Sequence, residues 1–181
     1  MSDTTWIALL RGINVGGHNK IPMAELREVC ETIGCRAVQS YIQSGNLVFV
    51  SALAQAGMEE ALETAILKHF ELEIPVIVRS ASQWASYLDD NPFPAASRDS
   101  PNLVTLALSK SAPLPGAADA LQERACDGER VQLLGEALWI HLPAGSARSK
   151  LTPSVLDRAA GSPVTTRNWR TVQKLARLVA T

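Results

Sequence analysis

Two segments 88 residues apart carry the same short pattern, Pro75-Val76-Ile77-Val78-Arg79-Ser80 and Pro163-Val164-Thr165-Thr166-Arg167-Asn168. Pro, Val and Arg coincide, and each segment ends in a residue suited to cap a following helix. The elements around them repeat in the same order. Residues 5–11 (TWIALLR) form a short apolar run stopped by Gly12, the mark of a buried strand. Pro22 suits a first helical position. Met23, Leu26, Val29, Cys30 and Ile33 then share one helical face, and Gly34 ends it. Strands over 37–42 and 47–50 flank the turn Gln43-Ser44-Gly45-Asn46. A helix over 58–70 and a strand over 75–79 complete a β-α-β-β-α-β unit.

After a helix over 81–90 the order restarts. A strand is expected at 103–108, a helix at 117–125, and a hairpin from 130–134 and 137–142 across Gly135-Glu136. A helix with Thr152 as N-cap and Pro153 at its first position ends at Gly161. A strand over 164–166 and a helix over 168–180 follow. With right-handed crossovers, each unit makes a four-stranded antiparallel sheet with two helices on one face, the ferredoxin-like arrangement. The expected fold class is therefore α+β: two ferredoxin-like subdomains packed together, each followed by a helix, arising from an internal duplication. Residues 1–91 form the first and 102–181 the second. The three prolines of 92–101 mark a linker.

Composition narrows the function classes. Apolar residues make up 46% of the 181, enough for a core, and no run approaches the ~20 apolar residues that cross a bilayer. The N-terminus lacks the basic region of a secretory signal, and three cysteines, Cys30, Cys35 and Cys126, have no metal-ligand spacing. Buried free thiols, a cytoplasmic location and no membrane partner are the expectations. Net charge is −1 but uneven. Residues 1–90 hold six Lys/Arg against eleven Asp/Glu, and residues 91–181 hold eleven against seven. From 143 to 181, seven basic residues face Asp157 alone, which points to a positive surface at this end.

Topology locates the polar loops. In such a sheet the loop after strand 1 and the strand 2–3 turn share an end. In the first half these hold Arg11, Asn14, Gly16, Gly17, His18 and Lys20, with Ser44 and Asn46. In the second half the loops after strands 3 and 4 share an end, holding Arg148, Ser149 and Lys150 with Thr166, Arg167 and Asn168. Each second-half loop precedes a helix, whose free amides and dipole favour an anion, and Arg170 adds charge. These residues are the candidate ligand-binding set. The plainer reading is tight turns and solvated cations.

Familiar motifs fail. Gly12 to Gly17 has phosphate-loop spacing, but His18 and Asn19 stand where Lys and Ser/Thr are required. Residues 44–51 (SGNLVFVS) fit the RNA-recognition pattern poorly, so Trp6 and Phe49 read as core. His18, His69 and His141 are scattered, and no metal site is expected. Glu59, Glu60 and Glu63 read as a solvated helix start. His18, in a polar loop, is the one candidate acid/base group. No cofactor is implied.

Three ordered blocks, Leu10 to Gly17 (LRGINVGG), Tyr41 to Asn46 (YIQSGN) and Thr165 to Trp169 (TTRNW), closely resemble the signature of DUF1697, a bacterial family of unknown function. Arg148-Ser149-Lys150 is similar to the family pattern, while the preceding 143–147 is less glycine-rich. The resemblance implies a two-subdomain α+β fold and brings no activity or catalytic residue. The leading expectation is binding of an anionic or phosphorylated ligand, a nucleotide or nucleic acid. The alternatives are an enzyme of phosphoryl or nucleotide chemistry and a protein-interaction module without a small-molecule site.

Overall fold

A computed structural model describes residues 3–180. The first six elements are β1 (Thr4–Leu10), α1 (Met23–Thr32), β2 (Arg36–Tyr41), β3 (Asn46–Ser51), α2 (Gln55–Phe70) and β4 (Val76–Ser80). Helices α3 (Ala81–Asp89) and α4 (Pro94–Asp99) follow. The second series is β5 (Val104–Ser109), α5 (Ala117–Gln122), β6 (Arg130–Leu134), β7 (Ala137–His141), α6 (Pro153–Ala160) and β8 (Val164–Asn168), closed by α7 (Trp169–Val179). Two antiparallel sheets result, in the orders β2-β3-β1-β4 and β6-β7-β5-β8. The chain divides into two compact units, one running to Ala85 and including the chain end from Leu175, the other Ser86–Lys174.

Each sheet has its most apolar strand near the centre. Trp6, Ala8 and Leu10 of β1 share a core with Leu47, Phe49, Leu26, Met58 and Leu62, so one sheet face is closed by α1 and α2. Ile7 and Leu9, on the alternate positions, are buried too, which is why β1 reads as a continuous apolar run. In the second unit Ala107, Leu121, Leu138, Ile140 and Leu156 make the equivalent core.

The repeated segment keeps equivalent places. Ile7 pairs with Arg79 across β1–β4, and Leu106 with Arg167 across β5–β8. Both expected caps form. The Gln83 amide donates to Ser80 Oγ at 3.2 Å while the Ser80 amide donates to Gln83 Oε1 at 2.8 Å, a reciprocal capping box. The Thr171 amide donates to Asn168 Oδ1 at 3.0 Å. Thr152, in contrast, makes no capping bond to α6, whose first residue is Pro153 and whose end at Gly161 is left-handed. Residues 92–101 contain ordered structure: Pro94 opens α4 and Pro101 opens a 3-10 turn, Pro101–Leu103, each where its missing N–H costs nothing.

One sequence expectation is corrected. Helix α2 begins at Gln55, a turn before the anticipated start, so Glu59 lies inside it and is buried, not solvated. The cause is the sheet edge. Strand β4 has no neighbour on its outer side, and its outward amides need acceptors. Glu63 Oε1 accepts from the Val76 amide and Glu59 Oε1 from the Val78 amide, both at 2.9 Å. Asp157 Oδ1 of α6 accepts from Val164 of the second edge strand at 2.8 Å. Arg79 Nη1 lies 3.9 Å from Glu59 Oε1 and donates to the Val78 carbonyl at 2.8 Å.

Glu59→Leu should therefore lower stability by about 2–4 kcal/mol, since it strands a buried amide and a buried guanidinium. Glu59→Gln retains an acceptor and should lose less than half as much. Urea unfolding measures both. Equal losses would show that Glu59 acts only by filling space.

Candidate functional site

In the first unit the loop after β1 and the β2–β3 turn meet, as topology requires. The Leu10 amide donates to the Gly45 carbonyl at 2.8 Å, and the half-buried Arg11 donates its own to Pro75 at 3.0 Å. Asn14, at φ +54°, ties the two loops together. Its Nδ2 donates to the carbonyls of Ile21 at 3.0 Å and Gln43 at 2.8 Å, while its Oδ1 accepts from the Ile21 amide at 2.9 Å. Asn19 Nδ2 donates to Gly12 O at 3.0 Å, and Asn46 Nδ2 donates to Tyr41 O at 2.9 Å and Ser44 Oγ at 3.1 Å. Short amide side chains here replace the regular ladder that an irregular loop lacks.

The loop between them is a small hairpin. Val15 and His18 pair as a bridge, and Gly16 and Gly17 take φ +57° and +80°, as a type I′ turn requires. Ile13 and Ile21 anchor it inside, leaving Val15, Gly16, Gly17, His18 and Lys20 exposed. It is not a phosphate cradle of the helix-capping kind, because α1 begins only at Met23, after Pro22. His18 has no side-chain partner among the described residues. No cluster of three His, Cys, Asp or Glu residues suited to a metal occurs among them either.

In the second unit the register fixes the shared end. His141 at the end of β7 pairs with Val104, and Asn168 at the end of β8 pairs with Thr105, both at the start of β5. The 142–152 loop is held by Leu142 donating to Leu103 O at 2.8 Å, by Ser149 Oγ accepting from Leu151 at 3.1 Å, and by the buried Leu151 itself. Arg148 and Lys150 are exposed and Ser149 is half-buried. Thr166 is exposed and Asn168 is engaged as the α7 cap. Arg167 is buried: its Nη1 donates to Thr165 Oγ1 and to the Thr166 carbonyl, both at 2.8 Å. Burial lowers its pKa to about 10, so it stays charged at neutral pH.

The same sheet end holds a cluster that sequence reasoning missed. Arg130 pairs across β6–β7 with His141, and its guanidinium sits 5.2 Å above the Phe93 ring, which lies 5.6 Å from the His141 ring. Burial, and then the Arg130 charge, push the His141 pKa down. The Arg130–His141 juxtaposition follows from the hairpin register. Phe93, in the proline-rich segment, gave no signal. A separate apolar cavity of about 270 Å³ lies between α5 and α6, rimmed by Arg124 and Arg158, and includes none of the candidate loop residues.

Two antiparallel four-stranded sheets, each flanked by helices and sharing one strand order, define an α+β protein of two ferredoxin-like units. Residues 4–139 match the family described as "Protein of unknown function (DUF1697)", and the chain belongs to that family. Conserved bacterial protein SP0830 of Streptococcus pneumoniae has a similar structure, with a TM-score of 0.72 and 25% identity over 98% of this chain and 99% of that one. No curated protein matches the sequence. No helix among the described residues is long and apolar enough to cross a membrane.

Gly45 shows how tightly the first-unit loops are fitted. A Cβ there would lie 2.8 Å from Leu10 Cβ and 2.8 Å from Ile13 Cδ1, on a backbone at φ +83°. Gly45→Ala should cost about 2 kcal/mol or more from strain and overpacking. Gly17→Ala, at φ +80° with nothing within 4 Å, should cost about 1 kcal/mol from strain alone. Thermal unfolding of the pair separates the two contributions, and equal shifts would exclude the steric one.

Proposed function

We propose that the protein binds an anionic, phosphate-bearing ligand, a nucleotide or a nucleic acid strand, at the end of the second sheet. Arg148 and Lys150 on the 142–152 loop and Arg170 on the first turn of α7 supply the charge, with Arg130 beside them on β6. Thr166 and Ser149 supply hydroxyl groups. The observation that carries this reading concerns the carboxylates. From 143 to 181 seven basic residues face a single acid, Asp157, whose Oδ1 accepts from the Val164 amide at 2.8 Å at the start of β8, the end of that strand away from Asn168. Glu129, next to Arg130, is buried and accepts from the Cys126 amide at 3.0 Å. The exposed Arg130, Arg148, Lys150 and Arg170 outnumber the exposed acids closest to them in the chain, Asp127 among these, and such an excess raises a local positive potential that attracts phosphate.

Arg167 acts in this scheme from within. Its guanidinium braces Thr165 and Thr166, so it shapes the β8–α7 junction without reaching the ligand. In the first unit Asn14, Ser44 and Asn46 hold the loops in shape. Arg11, Gly16, Gly17 and Lys20 form a secondary surface. The exposed His18 imidazole has no orienting partner among the described residues, which favours binding over acid/base catalysis.

The test is fluorescence anisotropy with a labelled single-stranded oligonucleotide, and calorimetry with nucleotides and inorganic polyphosphate. Binding should weaken as salt rises, and Arg148→Ala with Lys150→Ala should weaken it about tenfold or more, each charged hydrogen bond contributing roughly 1.5–3 kcal/mol. Preference for the strand over the mononucleotide would identify nucleic acid. Salt-insensitive binding, unchanged affinity in the double variant, or no binding to any phosphate would sink the reading.

A further inference from the structure

The C-terminus of α1 places two cysteines against each other. Gly34, at φ +87°, takes the left-handed position. Its amide donates to Glu31 O at 3.0 Å, and the Cys35 amide donates back to Cys30 O at 3.3 Å. Those two bonds, spanning four and six residues, define a Schellman motif in which the side chains of the first and last residues meet, usually as an apolar contact. Here both positions are cysteine. The two thiols lie within electrostatic reach of each other, and the Cys35 thiol donates to Met58 Sδ at 3.8 Å. All three sulfurs belong to the first-unit core, with Cys30 and Met58 fully buried and Cys35 4% exposed.

We infer that Cys30 and Cys35 are a redox-active pair that closes to a disulfide across the C-terminal turn of α1 when the protein meets a small-molecule disulfide. Disulfides bridge Cα separations of about 4.4–6.8 Å, and a six-residue turn closed by a backbone hydrogen bond holds its ends on that scale. The turn leaves the two sulfurs differently placed: Cys35 borders solvent beside the exposed Gly34 and Arg36, while Cys30 is fully buried. The neighbouring Cys30 thiol lowers the Cys35 pKa, whereas Cys35, and then burial, raise that of Cys30. Being the one nearer solvent, Cys35 is the attacking sulfur and Cys30 the resolving one. Access comes through opening of the last helical turn, which is flanked by the exposed Gly34 and Arg36.

The exchange balances without further reactants. The Cys35 thiolate attacks one sulfur of the small disulfide, breaking its S–S bond and releasing one small thiolate. Cys30 then loses its proton and attacks Cys35 Sγ, forming the Cys30–Cys35 bond and expelling the second small thiolate. The two cysteines lose two electrons, the small disulfide gains them, and the cysteine protons end on the two small thiols.

The experiment uses the full chain carrying Cys126→Ser, reduced, desalted and incubated folded with oxidised glutathione. Thiols are then counted by mass after denaturation and maleimide tagging. The expected result is a fall from two free thiols to none. No disulfide-linked dimer should form, and the protein should be two hydrogens lighter, with the change confined to the 28–36 tryptic peptide that carries both cysteines. Adding Cys30→Ala should trap a glutathione adduct on Cys35, and adding Cys35→Ala should leave Cys30 unmodified. Two thiols persisting in the folded protein, while the urea-unfolded chain oxidises under the same treatment, would overturn the inference. A disulfide-linked dimer or a stable glutathione adduct in the Cys126→Ser protein would do the same. An adduct on Cys30 in the Cys35→Ala variant, with none on Cys35 in Cys30→Ala, would reverse the assigned roles and reject the mechanism.

Discussion

The last strand of each unit lies at a sheet edge, and a helix holds it there through carboxylates. Val76 and Val78 would otherwise present unpaired amides beside an apolar core, and Glu63 and Glu59 of α2 accept from them. In the second unit Asp157 of α6 does this for Val164. An unsatisfied buried amide costs roughly 1–3 kcal/mol, so these contacts set the helix's register on the sheet as well as its stability. Once β4 and β8 are fixed, Ser80 and Asn168 fall where they cap the next helix. The positions of α3 and α7 descend from that contact.

The same arrangement has an electrostatic consequence. A carboxylate bonded to an edge amide is fixed in place, and its charge is screened from groups at the other end of the sheet. The first unit can absorb this, because its acidic residues outnumber its basic ones. The segment from 143 to 181 cannot, because Asp157 is its only acid. A structural requirement at the edge of β8 thus holds the one acid of this segment at the start of that strand, away from Asn168 and the 142–152 loop that carries Arg148 and Lys150.

Much of the frame was legible because it rests on local rules. The periodicity of 5–11, the Gly135-Glu136 hairpin and the cap residues Ser80 and Asn168 each carry their own signal, and strand order then fixes which loops share an end. What the sequence does not show lies where tertiary context decides. Glu59 looks like a helix-start acid until the edge strand supplies a buried donor for it. Asn14 and Asn46 look like ligand donors until their bonds to Ile21, Gln43 and Tyr41 are seen. Arg167 looks like an exposed cation, yet its strand position turns it inward. Phe93 sits among prolines that suggest a linker, and only the fold sets it against Arg130 and His141. Spacing alone did not separate Cys30 and Cys35 from ordinary buried thiols, because their meeting depends on Gly34 adopting a left-handed turn.

The two units therefore use one frame in different ways. In the first, the polar side chains at the loop end are consumed by the backbone they support: Asn14 makes three bonds, and Gly45 is packed so closely that a methyl group would not fit. Rigidity is the product, and the exposed His18 and Lys20 carry the hydrogen-bonding capacity that remains. In the second, the loop is held by backbone bonds, a serine hydroxyl and the buried Leu151, so that its long cationic side chains are left to solvent. Hydrogen-bonding groups already saturated by their own chain make poor recognition elements, whereas charged groups on an anchored loop lose little further order on binding. That physical difference, not the shared topology, is why the proposed binding surface is argued from the second unit.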